Sequence, residues 1–237
     1  MYALQIQKTL KASLGNLAGT RRALMFSGGF DSTLMARLAQ RCGARVTAVT
    51  VRFEDFNPLT VAQSALLAQR MGLPHHVLHV TLPEFLSAFG SLASLLNKPL
   101  ADLDLVLVYA AFKKYDPKVG GKIFISGMGS DQWFGDKALE QAAIDEEAHH
   151  KVAKAHGYKF VFPFLSTSML ALSQQIPADL KKNKKLLRKL VAGADRDLLS
   201  GLGGRREIQV PEKVRHLLGK VCGSRALKKS RNILLAG

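Results

Sequence analysis

The chain has 237 residues, a formal net charge of +16 and 47% hydrophobic residues, so it can bury the core of one large domain, or of one domain with a small appendage. No apolar run approaches the roughly 20 residues of a membrane span, and the N-terminus lacks the charged-then-apolar pattern of a signal peptide. With only two cysteines, Cys42 and Cys222, far apart in sequence, we expect a cytoplasmic protein with reduced thiols.

The first half of the chain alternates predicted strands with predicted helices. Strands are predicted over 23–26, 46–53, 75–80 and 122–126. Helices are predicted over 3–18, 31–41, 60–71, 83–96 and 103–115. Because almost every strand leads into a helix, we predict an α/β fold with a parallel, doubly wound sheet and crossover helices.

From about residue 137 the strand signal fades, and the pattern predicts a helical C-terminal part. Helices are predicted over 137–156, 166–175, 181–192 and 212–218. We divide the chain into an N-terminal helix (1–20), a main domain (21–200) and a basic extension (201–237).

The positive charge is concentrated near the C-terminus. Residues 181–237 hold 16 Lys or Arg against 4 Asp or Glu, a net charge of +12 out of +16. This distribution fits contact with RNA or nucleotide phosphates, and it equally fits a solvated basic surface. No aromatic residue follows Phe164 that could stack on bases, which disfavours single-strand recognition there.

The turn after the first predicted strand contains the first candidate motif, Ser27-Gly28-Gly29-Phe30-Asp31-Ser32-Thr33. Two glycines allow the backbone to fold closely around an anion, and the amides at the following helix start attract phosphate. The hydroxyls of Ser27, Ser32 and Thr33 would add donors, and Asp31 would add an oxygen ligand suited to Mg²⁺. The alternative is an ordinary glycine turn in which Asp31 or Ser32 caps the helix. The motif is not a Walker loop, since no Gly-Lys-Ser/Thr is present.

A second motif of the same kind follows the fourth predicted strand. It reads Ser126-Gly127-Met128-Gly129-Ser130-Asp131-Gln132-Trp133-Phe134-Gly135-Asp136. In an open parallel sheet, ligands bind at the carboxyl ends of the strands, so both loops can face one site. Asp31 and Asp131 would then bring two carboxylates toward the same metal and phosphate. The alternative is a glycine turn with Asp131 as a helix cap.

These two motifs resemble those of a known group of enzymes. The first resembles the pyrophosphate loop of the ATP pyrophosphatase (PP-loop) superfamily, Ser-Gly-Gly-x-Asp-Ser/Thr. The second is similar to the asparagine synthetase signature Gly-Glu-Gly-Ala-Asp-Glu-Leu-Phe-Gly-Gly. Weaker similarities to that family follow in its order at 68–76, 162–165, 183–188 and 205–207, so the resemblance covers about residues 20–215. It implies an adenine nucleotide alpha hydrolase-like fold, with ATP and Mg²⁺ as cofactors.

The resemblance also implies roles for residues outside the two loops. Lys184 would stabilise the departing pyrophosphate, with Arg206, or less clearly Arg205, as a second basic group. Backbone around Val51 would read the edge of adenine. Read without the resemblance, Lys184 is one solvated charge in the run Lys181-Lys182-Asn183-Lys184-Lys185.

Two departures bear on the substrates that the resemblance implies. The resemblance implies aspartate or an analogue as the carboxylate substrate. Gln132 and Ser166 stand where the family has acidic residues, so we expect the substrate pocket to differ from that of the family. Glutamine-dependent members carry an N-terminal cysteine nucleophile, and no cysteine precedes Cys42 here. We therefore expect the nitrogen donor to be free ammonia, another amine, or ammonia from a separate glutaminase subunit.

Three functions follow from these patterns. The favoured one is an ATP-dependent, AMP-forming amidoligase of the asparagine synthetase type. The main alternative is a PP-loop enzyme that adenylates a tRNA base, although RNA as a partner is not favoured. The third is a non-catalytic nucleotide-binding subunit of a glutaminase. A homodimer is left open, and the paired histidines of the third strand, His75 and His79, are expected to be structural.

Overall fold

The computed structural model describes residues 1–15, 17–54, 57–97, 100, 102–134, 139–181 and 184–190, with the backbone alone for 139–144. Its centre is a five-stranded sheet in which every neighbouring pair is parallel. The strands are β1 (Arg21–Met25), β2 (Arg45–Phe53), β3 (His75–Val80), β4 (Ile123–Ile125) and β5 (Lys159–Val161). Their spatial order is β3-β2-β1-β4-β5.

Helices connect the strands and cover both faces of the sheet. They are α1 (Tyr2–Leu14), α2 (Phe30–Arg41), α3 (Pro58–Arg70), α4 (Leu82–Leu96), α5 (Leu103–Phe112), α6 (Pro117–Gly120), α7 (Ser130–Phe134), α8 (Leu139–Ala155), α9 (Thr167–Gln175), α10 (Ala178–Lys181) and α11 (Lys185–Arg188), with a 3-10 turn at Pro163–Leu165. Among the described residues, no helix has the length and apolarity that crossing a membrane requires.

Alternating side chains of the strands divide the core into two layers. Ala23 of β1 belongs to a hydrophobic cluster with α4, α5 and α8, whereas its neighbour Leu24 belongs to a second cluster with α1, α2 and α9. Strand β2 shows the same alternation, with Val49 in the first cluster and Ala48 in the second. The parallel, doubly wound α/β fold expected from the sequence is therefore confirmed.

The structure corrects two elements of the sequence prediction. The short strand β5 was not predicted, because three residues with one buried side chain, Phe160, carry too little periodicity. The single helix predicted over 181–192 is wrong in its described part. Lys184 has a left-handed backbone (φ 55°) and separates α10 from α11. The predicted helix at 212–218 and the extension at 201–237 lie outside the described residues.

The strand order determines where a site can form. Strands β2 and β3 follow β1 toward one edge of the sheet, whereas β4 and β5 lie toward the opposite edge. Strands β1 and β4 are direct neighbours, with Leu24 paired to Ile125. Their carboxyl ends therefore open into the crevice at which doubly wound sheets bind ligands.

Candidate functional site

The loop between β1 and α2 lies directly against the helix α3. Gly28 has φ +70°, and a Cβ atom there would lie 3.0 Å from the Cα atom of Ser64. The carbonyl of Gly28 accepts a 3.2 Å hydrogen bond from Nε2 of Gln63. Glycine is needed here both for its conformation and for this close approach.

The start of α2 presents backbone amides, whereas its hydroxyl groups turn inward. Gly29 caps the helix, and its carbonyl accepts hydrogen bonds from Oγ of Ser32 at 3.0 Å and Oγ1 of Thr33 at 2.8 Å. Oγ of Ser27 accepts from the amide of Gly29 at 3.2 Å. The first turn of a helix leaves amides without intrahelical acceptors, so an anion has donors here. That Ser27, Ser32 and Thr33 bind phosphate stays a prediction.

The loop between β4 and α7 packs against the start of α2. A Cβ atom at Gly127 would lie 3.0 Å from both the carbonyl carbon and the Cβ atom of Asp31. Gly129 has φ +98°, and the space beside it is filled by Leu165, whose Cγ atom would be 2.7 Å from an added Cβ. The two glycines thus bring Asp131, in the first turn of α7, close to Asp31.

Lys184 joins the two loops. Its Nζ atom lies 2.5 Å from Oδ2 of Asp31 and 2.8 Å from Oδ1 of Asp131. It also donates a 3.1 Å hydrogen bond to Oγ of Ser130. The side chains of Lys184, Asp31 and Asp131 are 16%, 24% and 27% exposed. This cluster, here called the carboxylate–lysine site, has two negative charges and one positive charge when all three groups are ionised.

Asp31 is the member of the carboxylate–lysine site whose pKa is shifted. Burial raises its pKa, and the neighbouring Asp131 adds to the rise, while Lys184 and a hydrogen bond from Ser130 only partly offset it. Within the described part of the chain, its buried Oδ1 atom has no hydrogen-bond partner. A buried carboxylate oxygen without a hydrogen-bond partner is unusual, and this oxygen is available to coordinate a ligand.

The donor set of this site fits Mg²⁺ bound together with phosphate. Mg²⁺ is commonly held by one or two carboxylates, with substrate phosphates and water completing its coordination. Asp31 and Asp131 supply two such carboxylates, one of them with a free oxygen atom. The described residues contain no group of three or more His, Cys, Asp or Glu that could form a protein cage for a metal.

Val51, expected to read adenine through its backbone, has its carbonyl near the site end of β2. This carbonyl accepts a 2.9 Å hydrogen bond from Nδ2 of Asn57, and the amide of Phe53 donates to Oδ1 of Asn57 at 2.9 Å. The side-chain amide of Asn57 thus hydrogen-bonds to one acceptor and one donor of the β2 backbone. The role of Val51 in binding a base stays a prediction.

A buried polar network beneath the first loop was missed by the sequence reasoning. The hydroxyl of Thr50 donates to the carbonyl of Phe26 at 2.6 Å, and it lies 2.8 Å from Nε2 of His75 and 3.1 Å from Oγ of Ser64. Burial lowers the pKa of His75, which favours its neutral form, and the neighbouring His76 adds to this effect. The signal available in the sequence was two polar residues, Thr50 and Ser64, at otherwise apolar positions.

The structure therefore unites part of the residue set predicted from the sequence. Asp31, Asp131 and Lys184 meet, and Gly127 and Gly129 make their meeting sterically feasible. Ser130, in contact with Lys184, was not singled out although it lies within the second motif. Arg206 lies outside the described residues.

The chain is similar in sequence to asparagine synthetases and in structure to a tRNA thiolase. A putative glutamine-hydrolyzing asparagine synthetase of Mycobacterium bovis is 34% identical over 111 residues, which are 46% of this chain and 16% of that protein. A glutamine-hydrolyzing asparagine synthetase of Asparagus officinalis is 25% identical over 174 residues, which are 65% of this chain and 28% of that protein. The U34-tRNA thiolase NcsA of Methanococcus maripaludis has a TM-score of 0.47 and 14% identity, over 98% of this chain and 78% of that chain.

The chain thus spans less than a third of the length of these two asparagine synthetases. The family profile for asparagine synthase matches residues 6–143, which is more than half of the chain. The match includes both glycine loops and both aspartates of the carboxylate–lysine site. On this basis the protein belongs to the asparagine synthase family.

Proposed function

We propose that the protein is an ATP-dependent synthetase that adenylates a small carboxylate and transfers the acyl group to ammonia or an amine. The observation that carries this proposal is the contact of Lys184 with both Asp31 and Asp131. Three segments far apart in sequence bring these groups to the carboxyl edge of the sheet. Family membership supports ATP as the nucleotide.

In the first step, a carboxylate oxygen of the substrate attacks the α-phosphorus of ATP. The bond from the α-phosphorus to the oxygen that bridges to the β-phosphate breaks, and pyrophosphate leaves with the electron pair. Lys184 would neutralise the charge that grows on pyrophosphate, and the amides at the start of α2 would hold phosphate oxygens. The protein acts mainly by positioning and by charge stabilisation.

Asp31 and Asp131 would hold Mg²⁺, which neutralises charge on the triphosphate. In the second step, the nitrogen of ammonia attacks the acyl carbon of the adenylate. The carbon–oxygen bond to AMP breaks, AMP leaves with the electron pair, and the nitrogen releases a proton to solvent. We propose Arg206 as a second basic group in this chemistry.

The carboxylate substrate is proposed to be aspartate or an analogue. Ser166, at the position where the family has an aspartate, caps α9 by accepting from the amide of Met169 and receives a 2.8 Å hydrogen bond from Ser13 of α1. This serine therefore has structural partners, which favours an analogue with different polar groups. Ammonia would be taken free or from a glutaminase partner.

The proposal is tested by ATP–pyrophosphate exchange in the presence of Mg²⁺. Aspartate, other amino acids and bulk tRNA are supplied one at a time, and Asp31→Asn is the control. Exchange that requires a small carboxylate and is lost in the variant would support the amidoligase. Exchange that requires tRNA and ignores carboxylates would overturn it in favour of RNA modification. Nucleotide binding without any exchange would instead indicate a non-catalytic subunit.

A further inference from the structure

Lys184 occupies the place that a cation between the two aspartates would take. Its ammonium nitrogen lies 2.5 Å and 2.8 Å from one oxygen of each carboxylate. A magnesium ion that contacted the same two oxygens would lie about 2.1 Å from each, in nearly the same space. The ammonium and a bridging divalent ion therefore exclude one another by volume and by charge.

The lysine is held in this place and is not a mobile surface side chain. Lys184 has a left-handed backbone at the start of α11 and a side chain that is only 16% exposed. The next two apolar residues, Leu186 and Leu187, are 5% and 0% exposed and join the core cluster of α1 and α2. The buried leucines fix the position from which the lysine reaches the carboxylates.

A free divalent cation can enter only if the ammonium gives up both carboxylates. The displaced ammonium would then lose two charged partners in a largely buried site, which disfavours the exchange. A bound polyphosphate changes this balance, because its oxygens offer the ammonium a new anionic partner next to the same loops. The metal and the polyphosphate should therefore bind together.

We propose that Lys184 makes the carboxylate–lysine site specific for a metal–polyphosphate complex and selects against a free divalent cation. The proposal rests on the assignment of Asp31 and Asp131 as metal ligands in the proposed function. It adds a role for Lys184 before any chemistry takes place, in which its ammonium group occupies the cation position until a metal–polyphosphate complex binds.

The test measures Mn²⁺ binding to the nucleotide-free full chain. Mn²⁺ accepts the same oxygen ligands, and electron paramagnetic resonance counts the free ion. Quenching of Trp133, the only tryptophan and two residues from Asp131, gives a second readout. Lys184→Met is compared with Lys185→Met, which removes an equal charge from an exposed neighbouring position.

We expect Lys184→Met to bind Mn²⁺ alone at least tenfold more tightly than the wild type, and Lys185→Met to bind it like the wild type. Equal or weaker binding by Lys184→Met would overturn the proposal. The double variant Asp31→Asn with Lys184→Met should lose the gain. If it keeps the gain, the ion binds elsewhere and the proposal fails.

A second measurement uses only the wild type, so it does not depend on whether a variant folds. In the presence of inorganic tripolyphosphate, the wild type should bind Mn²⁺ at least tenfold more tightly than it does alone. The Mn²⁺ bound by tripolyphosphate itself is measured without protein and subtracted. Binding that is equal with and without tripolyphosphate would overturn the proposal. Both measurements are independent of exchange activity, so failure of the amidoligase function would show as absent carboxylate-dependent exchange with the Mn²⁺ results intact.

Discussion

A Cβ atom added to Gly127 would lie 3.0 Å from the Cβ atom of Asp31, so the two glycine loops meet without space for a side chain. Gly127 stands in the loop after β4, and Asp31 stands in the first turn of α2. The separation of the two aspartates is therefore set by a glycine that makes no polar contribution.

We predict that Gly127→Ala separates the loops and weakens the carboxylate–lysine site. The contact is with backbone and Cβ atoms, which cannot rotate away, so the loops must shift by several tenths of an ångström. Misplacement on this scale can cost a large factor in rate. We expect ATP–pyrophosphate exchange to fall at least tenfold. Gly90→Ala on α4, where an added Cβ meets nothing within 4 Å, is the control. Equal exchange rates in the two variants would contradict the prediction.

We predict that Thr50→Val raises the KM for ATP by about tenfold, because Phe26 directly precedes the first glycine loop, which the proposed function assigns to phosphate binding, and loses its 2.6 Å hydrogen bond from Thr50. Losing a buried hydrogen bond of this kind costs about 1–3 kcal/mol of folding free energy. Thr47→Val on the same strand is a matched control, since Thr47 is also buried and donates at 3.1 Å to the carbonyl of Val119. Both variants should lose comparable stability in urea, while only Thr50→Val changes KM. A KM change in both would mean that loop positioning is not specific to Thr50.

We predict that the free energy of unfolding of Glu84→Gln decreases less between pH 5 and pH 3 than that of the wild type. Hydrogen bonds from Lys114 and from the amide of Thr81 lower the pKa of Glu84 to about 2 from its ordinary value of 4.5. Since the folded-state pKa is depressed, this stabilisation is present above pH 4.5 and is lost as the pH falls toward 2. The measurement is urea unfolding at pH 5, 4 and 3. Glu147→Gln, from the exposed ion pair with Lys151 on α8, is the comparison. An unchanged slope in Glu84→Gln would contradict the prediction.

We predict that His156→Phe removes part of the destabilisation that begins below about pH 6.5. The ring of His156 packs edge-to-face on Tyr109 and Phe112, and burial lowers its pKa from 6.5, with Lys113 adding to the decrease. The unfolded chain then takes up the proton first, so the wild type loses stability as the pH falls from 6.5 through the folded-state pKa. Thermal unfolding at pH 7.5, 6.0 and 5.0 should show a smaller decrease for the variant. A variant with the slope of the wild type would rule out His156 as the source.

Four of the five strands and both glycine loops were predictable from the sequence because their signals are local. Glycine at 28 and 127 and aspartate at 31 and 131 follow apolar runs, and parallel strands place such turns at one edge. The position of Lys184 had no local signal, since it lies among four other polar residues that read as a solvated run. Only the resemblance to the family singled it out, and its left-handed backbone contradicted the helix expected there.

The polar network beneath the first loop could not be derived from sequence patterns for another reason. Thr50, Ser64 and His75 come from β2, α3 and β3, and their contacts depend on how these elements pack. A threonine or serine at a buried position has several ways to satisfy its hydroxyl, including the carbonyl one turn earlier in a helix. The partner is decided by tertiary packing.

The 153-residue separation between Asp31 and Lys184 has a consequence for the order of synthesis. All five strands, the last ending at Val161, leave the ribosome before Lys184 does. Since domains begin to fold during synthesis, the sheet can assemble around a pair of aspartates that still lacks its positive partner. Lys184 is therefore the last member of the carboxylate–lysine site to be synthesised, and until it is made the two aspartates lack the cation that they share in the folded chain.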